Sequence, residues 1–99
     1  MKMVYCTCNV SVLNELIEIF EECKINNYQI SKEIIGKSVL GDLRMNTAVW
    51  PGHNSTLISQ VEDKDVEKVV AKIKKFNDEA YNENENITLS SWKIEDYIK

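Results

Sequence analysis

Val4, Cys6, Cys8 and Val10 alternate with Tyr5, Thr7 and Asn9, a period of two that predicts a first strand with small apolar groups on its buried face. The period then lengthens. Leu13, Leu16, Ile17, Phe20 and Cys23 fall at helical spacing and form one apolar stripe, which predicts a helix from an N-cap at Ser11 to about Lys24. Glu15, Glu18, Glu21 and Glu22 cover the remainder of that helix as solvated charge. After the turn residues Asn26 and Asn27, residues 28–39 predict a second strand with a bend or bulge at Gly36. Gly41-Asp42 is a turn signal. Residues 43–52 are expected to be extended or irregular, because Pro51 has no N–H to donate and biases Trp50 away from helical geometry.

Residues 56–61, TLISQV, predict a third strand. A second helix follows, capped by Asp63 with Asp65 in its first turn. Val66, Val69, Val70, Ile73, Phe76 and Ala80 supply its apolar face, and Lys68, Lys72 and Lys75 run along an outer face as solvated charge. The connector NENEN, residues 82–86, is polar, and residues 87–92, ITLSSW, predict a fourth strand. In the tail, Ile94, Tyr97 and Ile98 have helix-compatible spacing and suit a short turn docked on the sheet or on a neighbour.

The order β-α-β-β-α-β, with one apolar stripe per helix, predicts an α+β ferredoxin-like sandwich: a four-stranded antiparallel sheet with two helices on one face. The chain of 99 residues is expected to form a single domain over 1–99. The other face of the sheet must be solvated or covered by another subunit. Tyr5, Thr7, Ile35, Trp92 and Tyr97 are candidates for a partly apolar second face, which favours oligomer formation.

Charge narrows the choice of partner. The net charge is -4 and the lysines are interleaved with acids, so no basic stripe exists to neutralise a nucleic-acid backbone. No window is apolar for long enough to insert in a membrane. The N-terminus has no signal-peptide h-region, and three cysteines form no disulfide framework, so a cytoplasmic protein with reduced thiols is expected.

Candidate chemistry is crowded into residues 36–54, GKSVLGDLRMNTAVWPGHN, which hold all the glycines and the only proline, histidine and arginine. Arg44 offers a bidentate fork for a carboxylate or phosphate, and Trp50 a flat face for stacking. Gly52 permits close backbone approach, while His53 and Asn54 supply adjustable donors and acceptors. Together they suit a pocket for a small anionic or planar metabolite at a subunit boundary. A structural reading competes with this one. In it, Trp50-Pro51 plugs the bottom of the core, Gly52 serves a turn, Asn54 bonds its own backbone, and Arg44 pairs with a Glu of a neighbouring subunit.

Three segments together resemble the PII-like signalling proteins of the nitrogen regulatory PII superfamily. They are NVSVLNELIEIFEECKINNYQISKEIIGKS, STLISQVEDKDVEKVVAKIKKF and TAVWPGHNS. The last is similar to the Trp-Pro-Gly-x-Asn segment of members whose long T-loop is replaced by a short connection. The resemblance implies a non-catalytic homotrimer with small-molecule sites in clefts between subunits, near the T-loop position, and a regulated protein target. The candidate ligand-binding residues Arg44, Trp50, Gly52, His53 and Asn54 lie in that part of the chain. The chain departs from the PII pattern where a Gly- and basic-rich B-loop would follow the second helix. NENENITL stands there instead and would repel phosphates, so no nucleotide or other cofactor is expected.

The alternative from another class is a trimeric divalent-metal-binding protein similar to the CutA family, using Cys6, Cys8, Cys23 and His53. The cysteines have a bland reading too, because alternate residues of a strand share a buried face and free cysteine is commonly core. A small ferredoxin-like enzyme using His53 as acid or base is a third reading, without an identifiable nucleophile to accompany it.

Overall fold

The computed structural model describes residues 1–39 and 41–99. The chain runs β1 (Lys2–Asn9), a 3-10 turn (Val10–Val12), α1 (Leu13–Glu22), β2 (Gln29–Ile34), β3 (Asn54–Val61), α2 (Asp63–Glu79), a second 3-10 turn (Glu83–Glu85) and β4 (Thr88–Lys93). The sheet has the order β2-β3-β1-β4, and every neighbouring pair is antiparallel. This is the ferredoxin-like α+β arrangement that the periodicities predict.

The period-two pattern of β1 does what it promised. Val4, Cys6 and Cys8 are buried and join Leu57 and Val61 of β3, Leu16, Ile19 and Phe20 of α1, and Val66, Val69 and Ile73 of α2 in one core. Phe20, Leu16 and Leu57 are fully buried, and side chains of that kind each contribute about 1.5–3 kcal/mol by leaving water. Ser55 and Ser59 lie in the same core layer. Their hydroxyls donate to the carbonyls of Lys32 at 2.5 Å and Asn27 at 2.6 Å, which satisfies backbone groups around the irregular β2 register.

Several expected boundaries move, each for a local reason. Asn9, not Ser11, caps the first helical segment, its side chain accepting from the Ser11 N–H at 3.3 Å. Asp63 is the first residue of α2 rather than its cap. The cap position belongs to Glu62, which makes no side-chain capping bond. The second strand ends at Ile34 rather than running to Val39, because its register with β3 slips between Ser31 and Ile34. Beyond it Gly36 pairs instead with Arg44, N to O at 2.7 and 2.8 Å in the two directions. The third strand begins two residues earlier than expected, at Asn54, and the fourth one residue later, at Thr88. The tail forms no helix; the Ile94 N–H donates to the Met1 carbonyl instead.

The face away from the helices has an unusual composition. In register across the sheet run Ser31, Thr56, Thr7 and Thr88, then Gln29, Ile58, Tyr5 and Ser90, then Gln60, Met3 and Trp92. The Thr7 and Thr88 hydroxyls hydrogen-bond each other. None of these rows carries a charge, in a chain that is 28% charged. Tyr5 and Trp92 are exposed there, as expected of a second face that is partly apolar.

Candidate functional site

The Gly36–Arg44 pairing sets Arg44 at the end of the sheet, beside the first residues of β3 and the turn before β4. Its side chain is only 6% exposed. Nη1 donates to Asn54 Oδ1 at 2.8 Å, while Nη2 donates to the Asn84 carbonyl and to Asn84 Oδ1, both at 3.4 Å. These partners are all neutral. Among the described residues no carboxylate forms an ion pair with the guanidinium. Arginine has no accessible neutral form, and a buried charge without a counter-ion is costly. The arrangement therefore leaves a positive charge to be balanced.

A cavity of about 230 Å³ opens against this charge. Its lining includes Arg44, Asn84, Glu83, Val39 and Gly41, with Asn9 from the end of β1. Gly41 matters for fit, since a Cβ there would lie 3.2 Å from Arg44 Nη1. Asn84 draws the two sides together. Its Oδ1 also accepts from the Asp42 N–H at 3.1 Å, so one side chain of the connector holds both the 41–44 corner and the guanidinium.

The residues singled out in the sequence are separated by the fold into different roles. Arg44 and Asn54 form the buried pair, and Arg44 alone of the five lines the cavity. Asn54 bonds Arg44 rather than its own backbone. Gly52 has φ +82°, its carbonyl accepts from Asn46 N–H at 2.9 Å, and a Cβ there would lie 3.6 Å from Arg44 Cδ. His53 contributes its carbonyl, accepting from Val10 N–H at 3.2 Å. Trp50 is 48% exposed and Pro51 is exposed, so they do not plug the core. The Trp50 carbonyl accepts from Met45 and Thr47, and its N–H donates to Thr47 Oγ1 at 3.0 Å, giving a tight loop that holds the indole away from the cavity.

Asn84 and Glu83 are the residues that sequence reasoning missed, having absorbed both into a polar connector. A local signal was present. Asn82 bonds the Asn84 N–H through its side chain at 2.9 Å, the habit that makes asparagine a turn former. Nothing local announced that this turn would meet Arg44, forty positions away.

The cysteines take their bland reading. Burial, reinforced by Cys8, pushes the Cys6 thiol up from its ordinary 9.0 to about 12. Burial and then Glu15 push Cys8 up to about 11, opposed by Arg44. Cys23 is also buried and free. Among the described residues no three of His, Cys, Asp and Glu gather to hold a metal ion, so the CutA-like reading gains no support. No described helix is long and apolar enough to cross a membrane.

No protein-family model and no curated protein sequence matches the chain. Solved structures do. A PII-like signalling protein from Thermus thermophilus is 16% identical, with a TM-score of 0.63 over 92% of this chain and 83% of that one. CPII from Thiomonas intermedia K12, a nitrogen regulatory PII-like protein, is 11% identical in its complex with ADP and bicarbonate, with a TM-score of 0.68 over 94% of this chain and 86% of that one. Its apo form is 10% identical, with a TM-score of 0.60 over 94% and 89%. Identities this low speak to backbone architecture, and on that ground the chain has the fold of the PII-like signalling proteins.

Proposed function

We propose that this is a non-catalytic PII-like regulatory protein, a homotrimer that binds a small anionic metabolite near residues 44–54 and passes its occupancy to a protein target. The observation that carries the reading is Arg44, a buried guanidinium with no carboxylate partner among the described residues, set against a cavity. A ligand anion would supply the missing charge and use the geometry of the planar fork. The likeness to CPII, whose structure holds ADP and bicarbonate, supports an anionic ligand on this fold.

Self-association draws support from the uncharged register rows of the open sheet face. Hydroxyl and amide groups that both donate and accept, flanking Tyr5, Ile58, Met3 and Trp92, suit burial against another copy. The number three comes from the resemblance. Asn54 lies on the groove of that face and Arg44 next to it, so a neighbouring subunit would approach the anion site.

Thermal unfolding against a library of small anions tests the ligand reading. The expected outcome is a concentration-dependent rise in Tm with at least one anion, by the linkage that gives about 2.7 kcal/mol at a hundredfold excess over Kd. Arg44→Gln should remove the rise. A library without effect on the wild-type protein counts against an anion site.

A further inference from the structure

The cavity's walls select among anions. Resting on the reading of Arg44 as an anion site, we propose that the ligand is a small, singly charged carboxylate with an apolar body, and that Glu83 is the specificity-determining residue that turns away phosphates and nucleotides. Among the described residues Arg44 is the only cationic side chain on the cavity wall, and Glu83 is an anionic one on the same wall. A monoanion balances Arg44. A second or third negative charge would find no second cation among the described residues of that wall and would face the Glu83 carboxylate, a like charge.

Size points the same way. About 230 Å³ lies below the roughly 300–1,000 Å³ of pockets that enclose drug-sized ligands, and a nucleotide is a ligand of that larger class. The fork has one hand committed and one to offer. Nη1 is held by Asn54 at 2.8 Å, whereas both Nη2 contacts are 3.4 Å long, beyond the usual range for a good N–H···O bond. A carboxylate oxygen at ordinary distance would replace those long contacts with a charge-assisted bond. Val39, 91% exposed, lines the cavity with the Arg44 stem and supplies apolar contact for a short hydrocarbon body.

Titration calorimetry with butyrate, inorganic phosphate and ADP tests this on the wild-type protein, Glu83→Gln and Arg44→Gln. Glu83 is exposed, so its substitution should leave folding intact, and amide spectra establish that Arg44→Gln is folded. The expected result is butyrate binding that Arg44→Gln weakens about tenfold or more, with phosphate and ADP weaker than butyrate by a similar factor. Glu83→Gln should then narrow the gap between butyrate and phosphate. Tighter binding of ADP or phosphate than butyrate, lost in Arg44→Gln, would overturn the monoanion proposal while leaving an anion site at Arg44. A butyrate-to-phosphate ratio unchanged in Glu83→Gln would overturn the role of Glu83. If all probes bound equally to the wild type and Arg44→Gln, or none bound at all, the anion site itself would be lost, and this inference with it.

Discussion

Arg44 and Asn54 show how one amide makes a buried cation tolerable. Asn54 Oδ1 is the only short acceptor on the guanidinium among the described residues, and both residues are buried. Asn54→Ala should cost about 1–3 kcal/mol, the penalty for leaving a buried donor unpaired, read as a lower urea midpoint with unchanged slope. The thiols of Cys6 and Cys8 act on stability through pH. Their folded values lie near 12 and 11, against an ordinary 9.0. Below about pH 9 both states keep the proton and stability does not depend on these groups. Above it the unfolded chain loses protons that the folded chain holds, so stability falls as pH rises from 9 towards 11 and 12. Each such thiol contributes a slope of about 1.4 kcal/mol per pH unit. Urea titrations between pH 8 and 10.5 check the sign, and a Cys6→Ala, Cys8→Ala variant should show a shallower decline. A flat profile in the wild type would mean the thiols are reached by water.

At the scale of the element, the end of α1 is built on a residue unsuited to it. Lys24 has φ +62°. Its N–H donates to Glu21 at 3.0 Å and that of Ile25 to Phe20 at 3.0 Å, the paired bonds of a Schellman motif with Lys at the left-handed position. Ile25 and Phe20 are both in the core, which completes the hydrophobic contact that accompanies the motif. An L residue in this conformation costs about 1–2 kcal/mol, which glycine avoids. Because the Lys24 side chain is exposed and forms no ion pair among the described residues, Lys24→Gly should raise stability by about 1 kcal/mol in denaturant titration. No gain would show that the loss of unfolded-state restriction cancels the relief.

For the whole molecule the decisive feature is the open sheet face, whose central register rows carry no charge. A charge placed in its middle has no opposite charge among the described register rows to meet, so Tyr5→Glu or Trp92→Glu should split an oligomer that buries this face. Light scattering is expected to give the wild type three times the 11.4 kDa chain mass and each variant the mass of one chain, with the helical circular-dichroism signal retained. A wild type that is monomeric at high concentration would remove self-association, and with it the role proposed for a neighbouring subunit at the anion site.

The sequence by itself determined the elements and their sides. Alternation through Val4, Cys6 and Cys8, and the helical stripes through Leu16 and Phe20 and through Val69 and Ile73, were enough for the order, type and buried face of strand and helix. Those signals are local, set by the backbone period of each element. Element ends were less legible because they turn on single bonds: Asn9 bonding Ser11, or the register slip after Ser31. Crowding of rare residues marked residues 36–54, where the fold pairs Arg44 with Asn54, but it could not tell a side chain from a carbonyl in the role of His53, nor an exposed Trp50 from a buried one. The site itself was decided by tertiary structure. Asn84 reaches Arg44, and Glu83 joins the same cavity wall, only because the β2-β3-β1-β4 order brings the turn before β4 past the end of β1 to the start of β3. A charge left without a counter-ion is a property of that long-range meeting, and no window along the chain contains both sides of it.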